Sequence, residues 1–179
     1  MQERSDYPIK WITPAFSTCY APQSETDLDE IRRQGISVIV NMCAECYDLA
    51  EIEEQAGFNV YRLSVADMEA PSLDDLESAM VWLENHLATG RKALIHCRYG
   101  IGRTGTFALT YLMRNGETLK SAIEKLKPTP SSPQSKEQWA FVEQYAKIKL
   151  QLKELTIPPS EQKGVGIFFK RQLDRLKWF

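Results

Sequence analysis

From Asp27 onward the apolar positions of the chain switch back and forth between two periods. LDEIRRQG predicts a helix ending at Gly35, ISVIVN a buried strand, YDLAEIEEQAG a helix closed by Gly57, and FNVYRLSV a second strand. Ser72 stands three residues before Asp75 in a capping spacing, and Leu73, Leu76, Met80, Leu83 and Leu87 follow at helical intervals until Gly90. KALIH, Lys92 to His96, fits a central strand, and Thr104 to Arg114 is apolar on nearly every side, as a helix buried in the middle of a fold would be. Leu119, Ala122, Ile123 and Leu126 repeat at helical spacing before Pro128, and a last long helix is predicted over 135–152. Strands alternating with helices predict an α/β fold with a mostly parallel central sheet flanked by helices. The domain is expected to occupy residues 1–153. Residues 154–179 are expected to be a linker, IPPSEQKGVG, followed by a basic amphipathic segment, IFFKRQLDRLKWF.

Composition narrows the picture in a few places. A chain of 179 residues that is 43% hydrophobic and 26% charged is large enough for one ordinary core, so disorder is not the expectation. A formal net charge of -2 offers no global attraction for nucleic acid, and any anion must be held by a local site. MQERSDYPIK has no apolar core of a leader, and no apolar run has membrane-spanning length, which sets the expectation of a cytoplasmic protein. Four cysteines, Cys19, Cys43, Cys46 and Cys97, are too few and too unevenly spaced for a disulfide scaffold and are expected as free thiols.

The chemistry concentrates in IHCRYGIGRTGT, Ile95 to Thr106, where two motifs overlap. Gly100, Gly102 and Gly105 spell a G-x-G-x-x-G dinucleotide turn, but the segment that follows is helix and then helix, with no second strand to present the acidic residue such a site needs. Cys97 and Arg103 spell Cys-x5-Arg. A glycine-bearing turn that runs from a strand into a helix N-terminus is an anion-binding nest, to which Arg103 adds a planar fork for phosphate oxygens. In that field the Cys97 thiol would ionise near neutral pH and become a nucleophile aimed at bound phosphate.

His96-Cys97-Arg98-Tyr99-Gly100-Ile101-Gly102-Arg103-Thr104-Gly105 resembles the H-C-x5-R-[ST]-G signature of the cysteine-based protein tyrosine phosphatases. The chain is similar to their compact dual-specificity branch, over about Trp11 to Lys149. The resemblance implies a protein tyrosine phosphatase-like fold and two-step hydrolysis through a phosphocysteine, with neither metal nor cofactor; His86 and His96 are few imidazoles for a metal enzyme. It implies that Arg98, Tyr99, Gly100, Ile101, Gly102 and Arg103 bind the substrate phosphate. Asp67, in the loop VADMEAP thirty residues before Cys97, becomes the general acid, while Asp74 and Asp75 fit the cap and dipole of the next helix. QSKEQW resembles the family's Q-T-x-x-Q-Y element, which makes Gln134 the water-positioning residue and Gln138 the second choice. Thr104 would hydrogen-bond the sulfur, and His96 would brace the loop backbone as support.

Three functions stay open. The first is hydrolysis of phosphotyrosine, and also of phosphoserine or phosphothreonine, in proteins. The second is the same chemistry on a phosphoinositide or small phosphate ester, for which Arg98 is one supporting cation. The third is a recognition module that binds phosphate without turnover, although pure binding needs neither thiol nor acid. Cys43 and Cys46 form a C-x-x-C without a second pair for zinc or a thioredoxin-like context, and read as incidental thiols. Residues 163–179 would dock on the domain or bind an anionic membrane or acidic partner.

Overall fold

Five strands and six helices alternate along residues 7–154, the part of the chain that the computed structural model describes. The strands are β1 (Lys10–Trp11), β2 (Phe16–Tyr20), β3 (Ile36–Cys43), β4 (Asn59–Val65) and β5 (Lys92–Cys97). They form one sheet in the order β1-β2-β5-β3-β4, in which only the β1–β2 pairing is antiparallel. β5 therefore lies between β2 and β3, with His96 in register with Cys19 on one side and Asn41 on the other. Because β2 to β5 are parallel, their C-terminal ends meet at one edge of the sheet, where open α/β folds place their ligands.

The helices are α1 (Glu25–Arg33), α2 (Leu49–Gln55), α3 (Leu73–Leu87), α4 (Gly102–Arg114), α5 (Leu119–Leu126) and α6 (Lys136–Glu154). Ser24, Ser72 and Thr118 cap α1, α3 and α5 by accepting the N–H three residues on. The pleat of β5 divides its side chains between two cores. Ala93, Ile95 and Cys97 face the larger one, with Phe107, Leu109 and Leu112 of α4 and Leu76, Met80 and Leu83 of α3. Leu94 packs in the smaller one with Leu28 and Ile31 of α1. By the same alternation β3 supplies both cores, Val38 and Val40 to the first and Ile39 to the second, and across the register shift between Ile36 and Val38 Ile36 joins the second as well. Each of these large apolar side chains contributes about 1.5–3 kcal/mol when fully buried.

The helices and strands predicted from Asp27 onward are all present, with ends shifted by a few residues. α4 begins at Gly102 rather than Thr104, so the last part of the glycine turn is already helical. β1 and β2 were not predicted, because FSTCY shows no clean alternation. Ser17 and Thr18 are fully buried, yet the Ser17 hydroxyl donates to the Ala93 carbonyl at 2.9 Å and the Thr18 hydroxyl meets that of Ser131 at 3.1 Å. Satisfied in this way, polar residues sit in a central strand without penalty. Among the described residues no helix is long and apolar enough to cross a membrane. The predicted linker and basic segment lie outside the described residues.

Candidate active site

Cys97 is the last residue of β5, Gly102 is the first of α4, and residues 98–101 make the turn between them. Gly100 has φ +69°, and a Cβ there would stand 2.5 Å from the Cys19 carbonyl carbon, so only glycine lets the turn pass the end of β2. The turn is pinned from outside as well: the Ser131 hydroxyl donates to the Gly100 carbonyl at 2.7 Å, and the Ala21 N–H donates to the Arg98 carbonyl at 3.3 Å. α4 has neither a side-chain cap at its N-terminus nor an acidic residue in its first turn. Its first N–H groups and positive end are thereby left to an anion bound in the turn.

The Cys97 thiol is 2% exposed, and its pKa lies below the ordinary thiol value. Burial is the largest influence and pushes the pKa up. The Thr104 hydroxyl, the Thr104 N–H, the Arg103 charge and the Tyr99 N–H together outweigh it by favouring the thiolate. The Thr104 hydroxyl is buried with no other hydrogen-bond partner among the described residues, which leaves it to the Cys97 sulfur. Two outcomes follow. Iodoacetamide should alkylate Cys97 rapidly at pH values where an ordinary thiol is protonated, and Thr104→Ala should move the midpoint of that rate-versus-pH curve upward.

Arg103 is 1% exposed, and its guanidinium is held from several sides. Nη1 donates to the Val65 carbonyl at 2.8 Å and to Glu45 Oε2 at 2.7 Å, Nη2 donates to Glu45 Oε1 at 2.7 Å, and Asp67 Oδ1 lies 3.1 Å from Nη2. Glu45 thus grips the outer edge of the fork bidentately, and the hydrogen bond from Arg103 holds the Glu45 carboxyl below its ordinary pKa. Nε is buried and has no acceptor among the described residues, so this one N–H of the guanidinium remains a donor to give.

Asp67 follows β4 in the loop to α3, and its side chain is 59% exposed. The next residue, Met68, takes φ +66°, a strained conformation for a side chain of its size. Asp67 and Glu45 share the wall of an open pocket of about 380 Å³ with Tyr47, Arg98 and Tyr99. Arg98 lies 5.7 Å from the centre of the Tyr99 ring.

The two glutamines reach the same turn in different ways. A Cβ on Gly102 would lie 2.9 Å from Gln134 Oε1 and 2.8 Å from Gln138 Oε1, which places both amides beside the start of α4. Gln134 is exposed and its backbone N–H donates to Gln138 Oε1 at 2.8 Å. Gln138 is fully buried and its Nε2 donates to the Glu69 carbonyl at 3.1 Å, so it ties α6 to the loop that carries Asp67. Of the pair, only Gln138 has its side-chain amide engaged by other groups among the described residues.

His96 departs from expectation. Its ring does not brace the turn: Nε2 meets Glu53 Oε1 at 2.7 Å, both side chains fully buried, and Nδ1 has no partner among the described residues. The pleat explains this, since His96 faces away from Cys97 toward α2. Glu53 Oε2 accepts from Asn41 Nδ2 at 3.0 Å, and Asn41 Oδ1 accepts the Cys43 N–H at 2.9 Å. Cys43 and Cys46 also depart from expectation, because they are joined in a disulfide rather than free; Cys19 and Cys97 are the free cysteines. The donor atoms of Cys43, Glu45 and Cys46 lie within 4.8 Å of one another, but cross-linked sulfurs are not thiolates and both Glu45 oxygens are engaged by Arg103. In this state the cluster has no ligands to give a metal.

Sequence reasoning missed Glu45, Glu53, Asn41 and Ser131. Glu53 sits between Glu51 and Glu54, both exposed, in LAEIEEQ, and nothing local distinguishes the buried carboxylate from its neighbours. Glu45 carried one faint signal, an acid enclosed by two cysteines at the end of a strand.

A cysteine, an arginine and an aspartate gathered over an uncapped helix at the carboxyl edge of a parallel sheet define the class of fold as that of the cysteine-based protein tyrosine phosphatases. The family model of Tc-R-P, a polymorphic toxin system DSP-PTPase phosphatase, matches residues 18–117, and the chain belongs to this dual-specificity-type family. It is 36% identical over 91 residues to the tyrosine-protein phosphatase vhp-1 of Caenorhabditis elegans, covering 50% of this chain and 13% of that protein. It is 31% identical over 103 residues to human dual specificity protein phosphatase 26, covering 55% of this chain and 48% of the relative. The chain thus spans less than half the length of each. The crystal structure of Tk-PTP in its active form superposes with a TM-score of 0.71 at 29% identity, covering 79% of this chain and 98% of that one.

Proposed function

We propose that the chain hydrolyses phosphotyrosine in proteins, and phosphoserine or phosphothreonine as well, through a phosphocysteine intermediate. The observation that carries this reading is the convergence on one turn of a thiol with lowered pKa, an uncapped helix N-terminus and the unpartnered Nε–H of Arg103. The N–H groups and Arg103 bind the phosphate oxygens and hold phosphorus over the Cys97 sulfur. The thiolate attacks phosphorus as the ester P–O bond breaks, and Asp67 gives its proton to the departing oxygen. Gln134 then orients water onto the phosphocysteine, Asp67 takes back a proton, and the hydroxyl of Thr104 steadies the sulfur as it leaves.

The open pocket supports protein substrates of more than one kind, since a phosphate on a short side chain reaches a shallow turn as readily as one on a ring. A polyanionic lipid headgroup is less well served: Arg98 is the one cation lining the pocket described here, and Glu45 and Asp67 put two carboxylates on the same wall. The test is hydrolysis of phosphotyrosyl and phosphothreonyl peptides with matched flanks, with and without chelator. Quenched samples from the first turnovers should contain phosphate on Cys97 by mass spectrometry. Activity that required added metal, or phosphate found on another residue, would show the mechanism to be wrong.

A further inference from the structure

The Cys43–Cys46 cross-link has a sequence separation of three. A ring this small removes little freedom from the unfolded chain, so its contribution to global stability is slight and its effect is local. What it encloses is Glu45, the residue whose two carboxylate oxygens hold the outer edge of the Arg103 fork. The Cys43 end is anchored to the body of the fold through Asn41, Glu53 and His96, all buried. The Cys46 end is half-buried, and the loop beyond it runs to Tyr47, which is 85% exposed on the pocket wall. One sulfur is thus tied to the nucleophile's strand, and the other stands within reach of a thiol from solution.

From this arrangement we infer that Cys43 and Cys46 are a redox-active positioning pair: closed, they hold Glu45 on Arg103, and opened by a dithiol reductant, they release the clamp. Opening is an ordinary exchange. A thiolate of the reductant bonds to the Cys46 sulfur, the Cys43–Cys46 bond breaks, and Cys43 leaves with the electron pair and takes up a proton. The second thiol of the reductant then displaces Cys46, which is protonated in turn, and the reductant departs as a disulfide. Two electrons and two protons have moved to the pair. Loop 44–48 then keeps its backbone turn bonds, Cys46 N–H to the Cys43 carbonyl at 3.3 Å and Leu49 N–H to the Cys46 carbonyl at 3.2 Å, but without the covalent link Glu45 no longer fixes the guanidinium that receives phosphate. Arg103 keeps its charge and its Val65 contact, so phosphate binding weakens without vanishing.

The inference deepens the proposed phosphatase reading and rests on it for the catalytic readout alone. The experiment equilibrates the full chain in mixtures of reduced and oxidised dithiothreitol from oxidising to reducing poise and maps all four cysteines by alkylation and mass spectrometry. Only poises at which Cys97 remains a thiol are used. At each of them kcat and KM on a phosphotyrosyl peptide, the affinity for inorganic phosphate by calorimetry and the melting temperature are measured. Opening the pair should lower kcat/KM and phosphate affinity about ten-fold, the scale of one charge-assisted clamp, with little change in melting temperature. The C43S/C46S variant should behave as the reduced protein at every poise, and E45Q should already be weak and indifferent to poise. The inference is overturned if opening the pair leaves phosphate affinity unchanged, if E45Q keeps the full redox response, if the 43–46 link never forms under oxidising buffer, or if reduction unfolds the domain. A protein that hydrolyses nothing at any poise but still loses phosphate affinity on reduction would sink the phosphatase reading and leave this one standing.

Discussion

Cys97→Ser is expected to reduce phosphopeptide hydrolysis by at least about 10⁴-fold, because a hydroxyl at that position is neither ionised near neutral pH nor a comparable nucleophile. Binding should survive. The first-turn N–H groups of α4, the unpartnered Nε–H of Arg103 and the Glu45 clamp behind it are untouched by the change. Replacing a thiolate by a neutral group also removes a negative charge facing the phosphate dianion, so the variant should bind phosphotyrosyl peptide at least as tightly as the unaltered protein. Calorimetry with inorganic phosphate and capture of a phosphopeptide on the immobilised variant check this half of the expectation, and steady-state kinetics the other. A serine variant that turned over normally would remove Cys97 from the reaction.

Asp67→Asn should lower kcat by about 10²–10⁴-fold on substrates with a basic leaving oxygen and by much less on an activated aryl phosphate, since proton donation matters in proportion to leaving-group basicity. The basic limb of the pH-rate profile should flatten, because that limb reports loss of the donated proton. An asparagine keeps the shape of the side chain and can still face Arg103, so phosphate affinity should move little. Unchanged kinetics on a phosphotyrosyl peptide would transfer the role to another carboxylate. Glu69 is the first to test, and its carbonyl, held by Gln138, fixes where its side chain starts.

The chain reported its helices plainly because their apolar stripes and caps are local properties: Ser72, Leu76, Met80 and Leu83 announce α3 without reference to anything distant. The turn from Cys97 to Thr104 is as legible, since Cys97, Gly100, Arg103 and Thr104 lie within eight positions and their pattern depends on spacing along the chain. What stayed hidden depends on partners far away in sequence. Ser17 and Thr18 look like surface residues until β5 and Ser131 satisfy them, and so β2 went unread. Glu45 reaches Arg103 across 58 positions and Glu53 reaches His96 across 43, distances over which no periodicity carries information. The cross-link between Cys43 and Cys46 escapes both the cysteine count, which speaks to a whole protein, and the C-x-x-C context, which looks for a second pair or a thioredoxin-like setting.

Every residue of α4 from Gly102 to Met113 is buried. The helix that carries Arg103 and Thr104 is therefore also the spine on which α5, α6 and the sheet are packed, and nearly any change along it is a change to the core. A lineage drifting toward a new ligand, or an engineer seeking one, has almost no freedom downstream of the Cys97 turn. Variation that alters what is recognised while sparing the fold must fall on the exposed pair Arg98 and Tyr99, on the stretch around Tyr47, and on the Asp67 loop. Libraries restricted to those three segments should yield folded variants of altered preference far more often than libraries spread over the helix, and the chemistry should pass through them unchanged.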